Sequence, residues 1–413
     1  MFVVFLFACS ATKTITDAAL EDTATTDPPT YYQDVAPIIA KNCLTCHLEG
    51  KIGPFALDTY ENVKILGPSV ANSVTSRRMP PYLADNSGDC QTYKDATWLT
   101  EEEIQTIDDW YDGGMLEGDP SVSTPLPEEE EALDATHSLT FDVYEANFAT
   151  SADDYRCFIV DPELEEDAYL TAFEVLPSNK AIAHHMILYS PVNAAAIQDA
   201  YAQDAADAGQ GYSCYGGANV NSYMVAPWAP GKSIWSYPQG TGIKLKANTP
   251  LIIQMHYSNA SEDTLDATVV NLKLEEQVEK ELFTEFYIHA GLEIPGNTPE
   301  HVESRTRSVR SITGRDQSIE LYSLVPHMHK LGSSEYASVI APDGEETCLI
   351  DVPNWDFNWQ LSYTFENSKI LNPDDRVFLE CTFDSTGIAG TTYWGDGTGD
   401  EMCLIGMFYS IAD

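Results

Sequence analysis

Five histidines in this chain stand in patterns that could hold metal ions. His184 and His185 are adjacent in Ala183-His184-His185-Met186-Ile187-Leu188-Tyr189, and His256 lies in Gln254-Met255-His256-Tyr257. His327 and His329 flank Met328 in Pro326-His327-Met328-His329-Lys330-Leu331-Gly332. All three stretches read as strands. Alternate strand residues share a face, so His327 and His329 can chelate one ion from an undistorted strand. His184 and His185 would point to opposite faces of a regular strand, so both reach one ion only where the backbone twists or ends. Imidazole suits copper, zinc and iron, and thioether sulfur favours Cu(I). A lone histidine on an apolar strand is usually a core residue. Two pairs and a separate His256, all within β segments, point to metal instead.

A second chemistry sits nearer the N-terminus, in Cys43-Leu44-Thr45-Cys46-His47. Two thiols at this spacing can form thioethers with the vinyl groups of a haem while the next imidazole takes the iron. No second CxxC or nearby histidine pair completes a zinc shell. The reading is one covalent haem c, with Cys43 and Cys46 as attachment points and His47 as iron ligand. Met79, in Ser76-Arg77-Arg78-Met79-Pro80-Pro81-Tyr82, is the candidate for the other axial position, on a loop stiffened by prolines. A helix carrying Val35, Ile38 and Ile39 leads into the motif. Thr100 to Glu103 form a capping box, followed by Ile104, Ile107 and Tyr111 at helical spacing. This arrangement resembles small class I cytochromes c, which implies a small all-α domain over residues 31–118 that passes single electrons.

These sites must be carried by 413 residues, enough for roughly two or three domains. Apolar residues make up 43%, so real cores can be buried, and the formal charge is -44 with a pI near 4.2. So negative a surface repels phosphate backbones and excludes nucleic acid as a natural partner. No run approaches the roughly 18 apolar residues of a spanning helix. Residues 119–139 are an acidic linker containing Glu128 to Glu131, with His137 at its edge as a surface residue. Beyond it come short β-rich runs, among them Ala183–Tyr189, Pro250–Tyr257, Ile319–Val325 and Arg376–Phe383, with one helix over Ala194–Ala208. Roughly 270 residues of such material suit two β-sandwiches better than one.

The chain opens Met1-Phe2-Val3-Val4-Phe5-Leu6-Phe7-Ala8-Cys9, followed by a Thr- and Asp-rich stretch. This resembles a bacterial lipoprotein signal and implies that residues 1–30 are a tether with Cys9 lipidated, although the first cation, Lys13, lies beyond Cys9. Cys90, Cys157, Cys214, Cys348, Cys381 and Cys403 remain, an even set without metal-type spacing, and read as three disulfides. The expected location is extracytoplasmic, as a periplasmic or cell-surface lipoprotein of a bacterium, touching membrane only through the lipid anchor.

From about Phe141 to Asp413 the chain resembles the copper type II, ascorbate-dependent monooxygenases, represented by peptidylglycine α-hydroxylating and dopamine β-monooxygenases. The resemblance is carried by AHHMILY (Ala183–Tyr189), APG with YPQGTG (Ala229–Gly242), QMHY (Gln254–Tyr257), HMHKLG (His327–Gly332), WDFNWQ (Trp355–Gln360) and DEMC (Asp400–Cys403). It implies two jelly-roll sandwiches facing each other across a cleft, over residues 140–280 and 281–413, each holding one copper. His184, His185 and His256 would bind an electron-storing copper, and His327, His329 and Met402 an oxygen-activating one. A methionine ligand gives zinc little, so zinc at these residues is a weak alternative. Cys157–Cys214 and Cys381–Cys403 match family disulfides. Cys90 and Cys348 are left over, and a bridge between them would pin the haem module to the second sandwich. Tyr155 and Gln254 match family positions near the first copper and the cleft, on a candidate electron path. His289 and His301 match no ligand motif.

The resemblance also shows departures. Val325 and Gly406 stand where the peptide-hydroxylating enzyme has an arginine and a tyrosine that hold the substrate carboxylate. Without that fork and phenol, peptides ending in glycine are not expected substrates. The expected function is hydroxylation of a C–H bond in a small organic substrate with O2. Electrons would come from ascorbate or another external one-electron donor, relayed by the haem. The competing reading is a non-catalytic, copper-binding electron-transfer lipoprotein, against which the retention of every copper ligand weighs.

Overall fold

The structure, a computed structural model, describes residues 28–49, 51, 53–127, 131–151, 153–230, 234–258, 262–395 and 399–413. Cys9 and the tether up to residue 27 lie outside the described residues. Four helices come first: α1 (Ala36–Asn42), α2 (Tyr60–Ile65), α3 (Gly67–Thr75) and α4 (Glu101–Asp112). They share a core of their own, including Val35, Ile38, Ile39, Val63, Val74, Ile104, Ile107 and Trp110. The capping box of α4 forms, with the Thr100 hydroxyl accepting from Glu103 N and the Glu103 carboxylate accepting from Thr100 N. Its third inward residue is Trp110 rather than Tyr111, because the indole fills the core and donates to Leu116 O at 2.9 Å.

The expected haem module, 31–118, is not closed on itself. After two prolines, which cannot continue α3, residues 82–94 leave the helical core and enter that of the second sandwich. Ala84 and Tyr93 are buried there, with Tyr82 and Leu83 packed against it. Tyr93 Oη donates to Leu349 O at 2.8 Å and Gln91 Nε2 to Cys348 O at 2.7 Å. Aromatic rings supply the apolar contact, with Tyr82 edge-on to Tyr363 at 5.2 Å and Tyr93 lying 5.6 Å from Phe365. A Cys90–Cys348 disulfide closes the attachment.

The rest of the chain is mostly β. The first sandwich uses β1 (His137–Thr140), β2 (Asp153–Val160), β3 (Ala168–Leu176), β4 (Ala183–Pro191), β5 (Ser222–Trp228), β6 (Thr241–Leu245), β7 (Leu251–Ser258) and β8 (Val269–Glu275). Helix α5 (Ala194–Ala206) follows β4. The second sandwich uses β9 (Lys280–Ile288), β10 (His301–Ser308), β11 (Ile319–Met328), β12 (Gly332–Ile340), β13 (Glu346–Val352), β14 (Tyr363–Leu371), β15 (Arg376–Phe383) and β16 (Cys403–Ile411). Alternation makes the faces: Val270, Leu272 and Leu274 of β8 point inward while the residues between them stay partly exposed.

One nine-stranded sheet serves both sandwiches, in the order β1-β8-β3-β6-β9-β16-β11-β14 with a short strand beside β3. It crosses from the first sandwich to the second where β6 and β9 pair in parallel, Thr241 with Lys280 and Ile243 with Leu282. The resemblance implies two sandwiches facing across a gap; here they are also joined edge to edge. A five-stranded sheet (Tyr212–Ser213, β2, β7, β4, β5) covers the first half, and β10-β15-β12-β13 covers the second. Among the described residues no helix is long and apolar enough to cross a membrane.

Because Tyr93 is 2% exposed and sits in the second sandwich's core, Tyr93→Ala is expected to lower its unfolding free energy by about 3–5 kcal/mol. Denaturant unfolding of the full chain measures this. An unchanged midpoint would mean that residues 82–94 only rest on the surface.

Candidate metal centres

The first histidine trio lies on the outer face of the five-stranded sheet. Tyr155, His256 and His185 are cross-strand partners in one row over β2, β7 and β4. The adjacency of His184 and His185 is resolved by a β-bulge: His256 pairs with His185, the next residue Tyr257 pairs with Ala183, and His184 is the extra residue. A bulge turns one side chain to the other face, so both imidazoles leave the core while Ala183 and Met186 stay in it. The Nδ1 atoms of His184 and His256 lie 3.3 and 3.2 Å from Nδ1 of His185. Lone pairs this close repel unless a cation or a shared proton lies between them, and the three residues form a metal-competent cluster.

His256 Nε2 is 3.0 Å from Asp153 Oδ1. Donation there fixes the tautomer and leaves Nδ1 free to ligate. That bond in turn holds the Asp153 carboxyl below its usual range. Desolvation, with the neighbouring His256, pushes His184 down to about 4. Desolvation also holds His185 well below the ordinary imidazole value, with His256, His184 and His327 of the other sandwich adding to it. The two clusters are therefore within electrostatic reach of each other.

The second cluster forms where β11 meets β16. Strand β11 ends at Met328, so His329 begins a turn rather than continuing an undistorted strand. The rings of His327 and His329 are 5.3 Å apart and nearly perpendicular. Their strands pair Met328 with Cys403 and His327 with Leu404; continuing that register sets Met402, 6% exposed, opposite His329. His327 Nδ1 is 2.8 Å from Gln360 Oε1, and His329 Nδ1 is 3.1 Å from Asp400 O. Both oxygens accept, so each ring keeps Nδ1–H and presents Nε2. Desolvation, with His329 beside it, pushes His327 down to about 3.

Several residues that build this corner carried no assigned role in the sequence. Glu401 accepts from the backbone N–H groups of His329, Leu331 and Met402, which ties the His329 turn to the start of β16. Burial pushes its carboxyl up to about 7. Trp355 Nε1 donates to His329 O at 3.2 Å, and Phe357 is edge-on to the His329 ring at 6.0 Å. Gly332 makes that approach feasible, because a Cβ there would lie 2.8 Å from Trp355 Cδ1. The WDFNWQ stretch is thus the brace behind both histidines. A partner far along the chain from its ligand, such as Gln360 on His327, leaves no spacing signal, so only the motif as a whole marked it.

Tyr155 stacks on His256, with centroids 4.1 Å apart and planes within 7°, and burial keeps its phenol protonated. Gln254 lies two residues before His256 on β7. It is 2% exposed, and its amide donates to Cys214 O and Gly217 O at 2.6 and 2.9 Å, pinning the loop beyond the disulfide. The pairs Cys157–Cys214 and Cys381–Cys403 are both bridged. His289 and His301 share the Glu303 carboxylate, at 3.4 and 2.9 Å, and His137 opens β1. At the N-terminal motif, Cys43 and Cys46 are free thiols on the turn after α1. His47 Nδ1 is 3.0 Å from Phe55 O, with the Phe55 ring stacked on it at 4.8 Å. Met79 is 37% exposed on the loop after α3.

Two joined β-sandwiches thus carry, on the first, three imidazoles close enough to hold one metal ion and, on the second, two imidazoles with Met402 opposite His329 in the strand register. The chain belongs to the copper type II, ascorbate-dependent monooxygenase family: its N-terminal domain matches residues 140–264 and its C-terminal domain residues 289–412. DBH-like monooxygenase protein 1 of Gallus gallus is 24% identical over 325 residues, covering 72% of this chain and 51% of that one. DBH-like monooxygenase protein 2 of Mus musculus is 23% identical over 298 residues, covering 66% and 46%. Peptidyl-glycine alpha-amidating monooxygenase A of Xenopus laevis is 22% identical over 267 residues, covering 63% and 26%. The chain spans about half the length of the DBH-like relatives.

Removing an outer hydrogen-bond partner typically weakens metal affinity about 10–100-fold. Gln360→Leu is expected to do so at the second cluster only, and Asp153→Asn at the first only, as read by competitive copper titration of each variant. Proton linkage gives a further expectation. His184 and His327 titrate lower when folded than the ~6.5 of an unfolded chain. Between about 6.5 and 4 the unfolded state therefore binds more protons, and metal-free protein loses stability as pH falls. Thermal unfolding across that range should show the decline, and a His184→Phe, His327→Leu double variant should flatten it.

Proposed function

We propose that this chain is an extracytoplasmic copper monooxygenase that hydroxylates a C–H bond of a small organic substrate. One oxygen atom of O2 enters the C–H bond and the other leaves as water, with two electrons and two protons completing the balance. The observation that carries the reading is the pair of donor sets with opposite presentation, Nδ1 at His184, His185 and His256, and Nε2 at His327 and His329 with Met402 beside them. Copper held by the first set would supply a one-electron store, and copper held by the second would supply O2 activation. The protein's part is to fix ring orientation through Asp153, Gln360 and the Asp400 carbonyl, and to keep the imidazoles neutral by burial. Glu401 holds the spacing between His329 and Met402.

Ascorbate or another external one-electron donor supplies the reducing equivalents. A covalent haem c at Cys43, Cys46 and His47, with Met79 as the second axial residue, would provide a relay. Two free thiols on one turn, and a His47 ring whose Nδ1 is taken by Phe55 O, support that assignment because Nε2 is left for iron. Three disulfides support an oxidising compartment, and lipidation at Cys9 would add a membrane anchor.

The test is metal content followed by oxygen uptake. The expected result is two coppers and one haem iron per chain, with oxygen consumption that requires both a reductant and a substrate. Met402→Ala should abolish substrate-dependent uptake while the first copper is retained. Full metal content with uptake indifferent to every substrate would favour the non-catalytic electron-transfer protein. Copper without covalent haem would remove the relay alone.

A further inference from the structure

The face that carries His327 continues as an apolar floor. Strands β9, β16 and β11 set Ile288, Leu404 and His327 in one cross-strand row. The next row on the same face, about 6.8 Å along the strands, is Phe286, Gly406 and Val325. The intervening residues Tyr287 and Ile405 point the other way into the second sandwich's core, with Pro326 as their partner on β11. Gly406 is what lets the row lie flat. A Cβ there would meet Phe286 Cε1 at 3.1 Å and Val325 Cβ at 3.3 Å, so the phenyl ring lies across the glycine and against the valine. Phe286 and Val325 are partly buried and pack toward the first sandwich's core. Beyond them the first sandwich closes the floor: Tyr237 stands 6.0 Å from Phe408, and Thr284 Oγ1 donates to Met224 O at 2.8 Å.

We propose that Phe286, held across Gly406 and against Val325, is the substrate-selecting residue beside the second cluster. The substrate class it selects presents an uncharged aromatic or branched hydrocarbon group next to the reacting C–H bond. This rests on the monooxygenase reading and narrows it. An apolar group covering a phenyl ring gains hydrophobic burial and ring contact. A carboxylate set on the Phe286–Gly406–Val325 row loses its hydration and finds no cationic side chain in that row.

The test compares 3-phenylpropanamide with 3-phenylpropanoate, equal in shape and different in charge. Binding to the copper-loaded full chain is measured by equilibrium dialysis at high ionic strength, which screens the protein's overall negative charge. The expected result is at least tenfold tighter binding of the amide. Phe286→Leu should weaken the amide at least tenfold, and Val325→Arg should reverse the preference, both with copper content unchanged. Equal or tighter binding of the carboxylate by the unaltered chain overturns the proposal, as does binding of neither probe or indifference of the amide to Phe286→Leu. Amide-selective binding without substrate-dependent oxygen uptake would instead sink the catalytic reading and leave the floor standing.

Discussion

Each cluster depends on saturating the wrong nitrogen of an imidazole so that the right one is left for the metal. A buried neutral imidazole has one donor and one acceptor, and hydrogen bonding to one nitrogen decides which role the other plays. His256 gives Nε2–H to Asp153, so the first cluster works through Nδ1. His327 and His329 give Nδ1–H to Gln360 and Asp400, so the second works through Nε2. Burial then keeps His184, His185 and His327 uncharged. The β-bulge at His184, the Glu401 staple and the Trp355–Gln360 brace all serve to keep these rings where those bonds can form. They also cost stability in the metal-free state, since a cluster of facing lone pairs is relieved only by a cation.

The sheet joining β6 to β9 explains how two clusters on different sandwiches stay in electrostatic contact. Parallel pairing makes the two halves share backbone hydrogen bonds as well as packed side chains. Relative sliding of the sandwiches would have to break that ladder. That a charge on His327 would oppose one on His185 follows from this constraint. Phe408 and Tyr322, on strands of the second sandwich, are counted in the first sandwich's core for the same reason.

Much of this was legible in the residues. The β-rich character and the strand placements follow from alternation, and the grouping of His184, His185 and His256 from the family resemblance. The capping box at Thr100 follows from its local hydrogen bonds. What was not legible depends on partners distant in sequence. No local pattern says that His184 is a bulge, because the bulge exists only against β7. Gln254 was placed near the cleft by the family resemblance alone; the loop that buries it comes from residues 214–217. Trp110 displaced Tyr111 because both sit near the inward stripe and only packing chooses between them. Phe286 had no signal at all, since its role arises from a glycine 120 positions further on.

The attachment of residues 82–94 bears on what a fused N-terminal module can do. A linker alone would leave the helices free to wander from the sandwiches, and any communication would depend on chance encounter. Here the tie is a disulfide, a buried tyrosine and a set of backbone hydrogen bonds to the second sandwich. Tyr82 lies three residues beyond Met79 and packs on Tyr363, which pairs with Leu324 on the strand that carries His327. The stretch between α3 and α4 is therefore packed into the sandwich that carries His327, so the helices are tied to it through residues 82–94 as well as through the acidic segment. The acidic 119–139 segment then has the lesser task of returning the chain to β1 rather than of positioning one module against another.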